Sequence, residues 1–379
     1  VDAGVKVVHV VRQFSPSVGG LEDVVLNLVR FQREVAGHEV RVVTLNRLFR
    51  GDTAALLPSR ECVDGIDVVR IPFRGSSRYP VAPAVLRELV HADLVHVHAI
   101  DFFFDFLAWT KPLHRKPLVV STHGGFFHTQ FASGFKQIYF STISRLSTLT
   151  YARVLATSYN DGEIFSRIVR PPKLQVIENG VDVGRFVAAA SSDVPRTLIY
   201  FGRWSVNKGL PELIRLFTLL RGGRPDWRLI LAGREYDLAA SDLRQLARAE
   251  GVEGQVEIHA NPSVEQLRGL MGGAGYFCSL SHHEGFGLTA IEALSAGLLP
   301  VLSDIPAYRR VVEQSGLGLL CGSGDLAATA RALESGHEAV CATAQTWREK
   351  ALSFAQQYAW NQVGRKYEEV YQDVVGGQS

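Results

Sequence analysis

Short apolar runs alternate along this chain with polar loops and helix-spaced segments. Lys6–Val11 (KVVHVV) is apolar without alternation, as a strand buried on both faces requires, and so predicts an interior parallel strand. A polar loop, Ser15–Gly20, follows. Leu21, Val24, Val25, Leu28 and Val35 then fall at helical spacing, and Gly37 supplies a stop. Further strand-like runs stand at Glu39–Leu45, Asp67–Ile71, Asp93–Ala99, Leu118–Thr122, Val154–Ser158 and Leu174–Glu178. In the run DLVHVHA, His96 and His98 alternate with valines and share one face, where a structural role is expected.

Two segments depart from this rhythm. Asp101–Trp109 (DFFFDFLAW) is unusually aromatic, and basic Lys111, Arg115 and Lys116 follow it. Phe126–Leu149 places Phe131, Phe135, Ile138, Tyr139, Ile143 and Leu146 on one stripe of an amphipathic helix, with Lys136 and Arg145 elsewhere. Such a stripe either joins a core or, with Phe126, Phe127 and the preceding DFFFDF run, covers a membrane surface or lipid tail.

The small, polar stretch Val187–Pro195 marks a domain boundary. Beyond it the pattern restarts with strands at Thr197–Phe201, Trp227–Ala232, Val256–Ala260, Tyr276–Leu280 and Leu299–Leu302. Helices are predicted at Pro211–Leu220, Ala307–Glu313, Asp325–Leu333 and, unbroken, Glu338–Tyr358. A last amphipathic helix begins at Trp360 and carries Val363, Tyr367, Val370, Tyr371 and Val374 on one side. The expected class is α/β, with parallel-sheet, Rossmann-like domains at 1–185 and 196–359.

Composition narrows the function. At 379 residues, 46% hydrophobic and 21% charged, the chain is globular and long enough for two cores. No run of 18 apolar residues exists, and four scattered cysteines without metal spacing suit a reducing, cytoplasmic setting. Residues 1–180 carry a net charge of +5 and the remainder −3. A basic first half suits an anionic membrane surface or diphosphate groups; no nucleic acid is expected among the partners, and the oligomeric state stays open.

Candidate chemistry gathers in four loops that follow strands, where α/β folds bind ligands. Gly202–Gly209 (GRWSVNKG) offers Arg203 and Lys208 as phosphate partners beside free helix N–H groups. In Ser279–Ser303 (SLSHHEGFGLTAIEALSAGLLPVLS), Glu284 and Glu292 bracket a Gly-Phe-Gly turn, and Leu288 and Glu292 lie one helical turn apart. His282 and His283 read as pocket wall, with no metal expected. His123-Gly124-Gly125 ends the strand at Leu118–Thr122, and Gly19-Gly20 forms a tight loop before a helix. The Gly-Gly loop is not G-x-G-x-x-G, which argues against a dinucleotide oxidoreductase.

These motifs resemble family 4 glycosyltransferases, retaining enzymes of GT-B architecture with two facing domains and nucleotide-sugar donors. Stretches such as RGSSRYP, DFFFDFLAWTKPLH, VVSTHGGFFH, VIENGVDV and YFGRWSVNKG are similar to the bacterial exopolysaccharide α-mannosyltransferases of xanthan and acetan type. The resemblance implies that Glu284 and the backbone of Gly285, Phe286, Gly287 and Leu288 hold the donor sugar, and that Glu292 holds the ribose. It assigns Arg203 and Lys208 to the diphosphate, Gly19 and Gly20 to a loop over it, and His123 to the reacting sugar. The segment 360–375 is expected to return to the first domain. GDP-mannose as donor and a cellobiosyl-diphospho-polyprenol as lipid-linked acceptor follow, without cofactor, on the inner face of the cell membrane. Phe126, Phe127, Phe131, Phe135 and Lys136 become candidate acceptor or membrane contacts. Loop chemistry alone leaves open a UDP-sugar donor, a sugar-nucleotide 2-epimerase and a non-catalytic nucleotide-sugar sensor. It also leaves open a covalent intermediate, although no residue stands out as a nucleophile.

Overall fold

The computed structural model describes residues 4–50, 52–77, 79–124, 137–322 and 325–377. The candidate residues Gly125, Phe126, Phe127, Phe131, Phe135 and Lys136 lie outside these described residues. The chain forms two compact units, Val1–Gly180 with Trp360–Ser379, and Val181–Ala359.

The first unit contains strands β1 (Lys6–Val10), β2 (Glu39–Leu45), β3 (Arg60–Val63), β4 (Ile66–Ile71), β5 (Arg74–Ser76), β6 (Tyr79–Val81), β7 (Leu94–His98), β8 (Leu118–Ser121), β9 (Arg153–Ala156) and β10 (Leu174–Val176). Eight of them form one sheet in the order β10-β9-β8-β7-β1-β2-β4-β3, and β5 and β6 pair as a small hairpin. All pairs in the large sheet are parallel except β3 with β4. Sequence patterning passes over β3 because its RECV run has no apolar face. Its position is held instead by Arg60 and Arg41, which both pair with Asp67.

Alternate side chains of the central strands supply two cores. One contains Val8, Val10, Val43, Val95 and Val97 together with Phe102, Phe103 and Phe104. The other contains Val7, Val42, Leu94 and Val119, helix Gly20–Glu34, and the terminal helix Trp360–Gly376. The terminal helix buries all five predicted residues, Val363, Tyr367, Val370, Tyr371 and Val374. Burial of this kind stabilises by about 1.5–3 kcal/mol per large apolar side chain. The contact is close: a Cβ on Gly364 would stand 2.3 Å from the Phe31 ring. Trp360, at the helix start, lies against Gly180 in the same way.

The aromatic segments divide differently from the sequence expectation. Phe102, Phe103 and Phe104 of helix Phe102–Trp109 are core, and Trp109 is the exposed ring. Beyond residue 136 the helical segment includes a π turn, Phe140–Ser144, and continues as Arg145–Thr148. Its buried face is Phe140, Ser144, Ser147 and Thr148, with Phe140 set edge-on against Phe165, while Ile138 and Leu146 remain exposed. The π turn shifts the register, so the 3.6-residue stripe does not predict which side is covered.

The second unit has six parallel strands: β11 (Thr197–Trp204), β12 (Arg228–Glu235), β13 (Val256–Ala260), β14 (Tyr276–Ser279), β15 (Leu299–Ser303) and β16 (Leu319–Cys321). Their order is β13-β12-β11-β14-β15-β16. β11 and β12 run beyond the predicted strand ends because Gly202 and Gly233 face each other in register. A Cβ on Gly233 would lie 1.8 Å from the Gly202 carbonyl oxygen. These glycines permit close pairing where the sequence suggests a turn, and Arg203 therefore belongs to a strand end rather than a loop. The predicted helix Glu338–Tyr358 is also corrected: helices Leu326–Ala342 and Ala344–Gln356 meet at a break on Thr343.

Candidate active site

The second unit brings two loops together at the C-terminal ends of β11 and β14. After β11 a short turn, Val206–Lys208, leads to Gly209 and helix Leu210–Gly223. Gly209 has a φ of 64°, and a Cβ there would meet the Leu280 carbonyl oxygen at 2.0 Å, so glycine alone lets the loops touch. His282 N–H donates to the Asn207 carbonyl at 2.8 Å, which laces the two loops.

This contact brings Lys208 to Glu284, with Nζ 2.6 Å from Oε1. Ser281 Oγ and Tyr308 OH donate to the same oxygen, at 2.7 and 3.0 Å. The side chains of Lys208 and Glu284 retain only 15% and 13% of their exposure, so their attraction is little screened by water. Tyr308 comes from helix Pro306–Ser315 and also bonds Ser279 Oγ at 2.8 Å. Burial, then the Glu284 charge, push the Tyr308 hydroxyl well above its ordinary range and keep it a donor. Burial and the same carboxylate raise Tyr200, whose hydroxyl donates to the Arg203 carbonyl at 2.9 Å.

Gly285 and Phe286 continue from Glu284 to Gly287, the N-cap of helix Leu288–Ala296. Gly287 has a φ of 94° and packs on the Tyr308 ring, as a larger residue there could not. Leu288 and Glu292 are both half-buried, one turn apart on that helix. The Arg203 guanidinium lies 4.4 Å from the centre of the Tyr236 ring. His282, read from sequence as pocket wall, has Glu212 at 3.5 Å. Sequence reasoning did not identify Ser281, Tyr236 or Tyr308. Ser281 is signalled only by its place three residues before Glu284, and the two tyrosines arrive from other loops and helices.

In the first unit His123 follows β8 and adopts a φ of 51°, a left-handed conformation uncommon outside glycine; such strain gathers at functional positions. Its Nε2 lies 3.0 Å from His98 Nδ1. Burial lowers the His123 pKa to about 3, so the ring is neutral at neutral pH. Gly19 and Gly20 open helix Gly20–Glu34, where the Glu22 carboxylate folds back beside Gly19 and accepts from Ser17 Oγ at 2.8 Å. A cavity of about 410 Å³ lies past β2 and β4, lined by Asn46, Arg47, Phe49 and Phe73 among others.

Among the described residues His9, His96 and His98 form a buried cluster close enough to suggest a metal site. His98 stacks on both His96 and His9, with the His96 and His98 centroids 4.2 Å apart, and both nitrogens of each ring are hydrogen-bonded. A metal needs lone pairs converging on one point, and this arrangement does not supply them.

Two family models match consecutive parts of the chain: Glycosyltransferase Family 4 over residues 18–185, and Glycosyl transferases group 1 over residues 186–351. The chain is 49% identical to the GDP-mannose:cellobiosyl-diphosphopolyprenol alpha-mannosyltransferase of Xanthomonas oryzae pv. oryzae, over 98% of this chain and 97% of the relative. It is 48% identical to the protein of the same name from Komagataeibacter xylinus, over 99% and 95%. Among solved structures, Anabaena HepE in complex with UDP and glucose superposes with a TM-score of 0.75 at 20% identity, over 97% of this chain and 99% of that one. With relatives this similar along nearly their whole length, the chain belongs to the family 4 glycosyltransferases and has their GT-B fold.

Proposed function

We propose that this enzyme transfers mannose, with retention, from GDP-mannose to a cellobiosyl-diphospho-polyprenol during exopolysaccharide synthesis. The observation that carries this reading is the near end-to-end identity, at 48–49%, with α-mannosyltransferases named for that donor and acceptor. The Lys208–Glu284 geometry supports it. All three described bonds to the Glu284 carboxylate converge on Oε1, which leaves Oε2 to accept from sugar hydroxyls. The Lys208 ammonium has three donors, so it can keep Glu284 and still meet a diphosphate oxygen. As the sugar–phosphate bond breaks, charge grows on the diphosphate. Lys208 and Arg203, placed beforehand, stabilise it more than the ground state, without a metal. Gly285–Leu288 contribute backbone donors to the sugar, Glu292 binds the ribose, and His123 acts on the reacting sugar. Val181–Ala359 is assigned to the nucleotide sugar and the first unit to the acceptor, with the cavity at Arg47, Phe49 and Phe73 on its ligand edge.

Among the described residues no helix is long and apolar enough to cross a membrane. Peripheral attachment from the cytoplasmic side is proposed instead, through the exposed Trp109, Leu113, Leu146 and Leu149 with the neighbouring exposed Arg115 and Arg145. Trp109 Nε1 donates to Ser147 Oγ at 3.1 Å, which joins the two helical segments into one patch. Apolar and basic groups together give reversible attachment to anionic lipid.

The substrate pair is tested by offering labelled GDP-mannose, UDP-glucose and UDP-N-acetylglucosamine against a polyprenyl-diphosphate cellobioside. The expected result is label in the lipid fraction with GDP-mannose only, released by mild acid as a trisaccharide sensitive to α-mannosidase. Transfer from UDP-glucose instead overturns the mannosyl assignment, and epimerised sugar from donor alone identifies an epimerase.

A further inference from the structure

Behind His123 a line of buried polar groups crosses the sheet of the first unit. His123 Nε2 lies 3.0 Å from His98 Nδ1, His98 Nε2 lies 2.9 Å from His9 Nδ1, and His9 Nε2 lies 2.7 Å from Gln32 Oε1. Fold topology assembles the line. β1 and β7 are neighbours, β8 follows β7 in the sheet, and helix Gly20–Glu34 covers β1 with Gln32 fully buried beneath it. His96 lies on a second branch, with its nitrogens on Tyr371 OH and Ser121 Oγ, and Tyr371 also meets the Gln32 side chain.

The chain has a direction set by proton counting. A hydrogen bond between two imidazoles holds one proton, and a neutral imidazole carries one N–H. The carboxamide oxygen of Gln32 only accepts, so His9 carries its proton on Nε2 and accepts at Nδ1. His98 must then donate from Nε2 and accept at Nδ1. His123 in turn donates from Nε2, and its lone pair is left on Nδ1. Burial keeps the members neutral: it lowers His9 to about 4 and His123 to about 3, and holds His98 well below the ordinary histidine range.

We propose that Gln32, His9 and His98 are positioning residues that fix His123 as its Nε2–H tautomer, so that Nδ1 serves as a hydrogen-bond acceptor toward the donor sugar. The proposal rests on the assignment of His123 to that sugar. Gln32 is the residue that sets the direction, four groups away from the chemistry along the line. Sequence shows a helical glutamine, two strand histidines and a loop histidine with nothing to connect them.

Nitrogen NMR of the wild-type enzyme with isotope-labelled histidine tests the line without any substitution. The expected spectrum has Nε2 protonated and Nδ1 bare in His9, His98 and His123; a bare Nε2 on His123 overturns the proposal. Gln32→Leu removes the accepting oxygen and is expected to mix the His123 tautomers and to lower kcat about tenfold, with the KM for donor nearly unchanged, as for one misdirected hydrogen bond. Gln32→Glu keeps an acceptor at the same reach and is expected to restore the tautomer. A Gln32→Leu enzyme whose His123 tautomer stays pure assigns Gln32 to packing alone and sinks the idea. Failure of the underlying reading looks different: His123→Ala would retain full transfer while the wild-type tautomers remained as described.

Discussion

The two units place a polar site after parallel strands in opposite electrostatic ways. In the first, imidazoles are stacked through the sheet and kept neutral by burial, with hydrogen bonds that fix orientation but carry no charge. In the second, a lysine and a glutamate remain paired at the sheet edge, partly open and bonded by two hydroxyls. The difference teaches that one fold plan can hold a site rigid by excluding charge or by balancing it. A neutral line suits the role proposed for His123, orienting a sugar. A poised ion pair suits the role proposed for Lys208, meeting a departing diphosphate.

The largest expected effect comes from breaking the charged site. Lys208→Ala is expected to lower turnover by about a hundredfold, the loss typical of one preorganised transition-state donor. Glu284→Ala is expected to cost at least as much, and the double variant less than the product of the two, because the partners act as a unit. Steady-state kinetics check this, and a folded Lys208→Ala enzyme with full activity breaks the comparison. Tyr308→Phe sharpens it: losing one of three bonds to Oε1 is expected to lower turnover about fivefold to tenfold.

The neutral line is attacked with acid. His9 falls from 6.5 unfolded to about 4 folded, so between those values the unfolded chain binds the extra proton. Stability is therefore complete above pH 6.5 and is lost as pH falls toward 4, by about 3 kcal/mol from this residue alone. Denaturant midpoints for the first unit across that range measure it. His9→Gln is expected to flatten the slope, and an unchanged slope would mean that His9 is not buried neutral.

A smaller effect tests the packing behind the line. Gly364→Ala puts a methyl into the Phe31 ring and is expected to cost about 1–3 kcal/mol as the terminal helix shifts. Thermal unfolding reports it, and because His96 bonds Tyr371 on the same helix, the histidine NMR signals should move with it. The smallest effect on the isolated enzyme is expected at the exposed patch. Trp109→Ser with Leu113→Ser should alter stability by less than about 0.5 kcal/mol each. Flotation with anionic vesicles should nevertheless fall several-fold, and unaltered flotation removes this patch from the membrane reading.

Parallel strands, the amphipathic last helix and the paired glutamates are written in local periodicity and spacing. Lys208 and Glu284 are legible as candidates because each sits in a loop whose glycines mark close backbone approach. Local pattern has no access to what distant segments bring. That Lys208 meets Glu284, that Tyr308 joins them, and that Gln32 speaks to His123 through two histidines depend on strand order and register. The same limit explains the errors. Gly202 and Gly233 signal a turn until each is seen to make room for the other, and the DFFFDF run looks like a surface until the sheet beneath it is present. Periodicity decides which residues prefer to be covered, because burial acts on each side chain separately. Which polar atoms face one another is decided by tertiary structure alone, because a hydrogen bond needs two partners within about 3 Å, and only the folded chain brings them there.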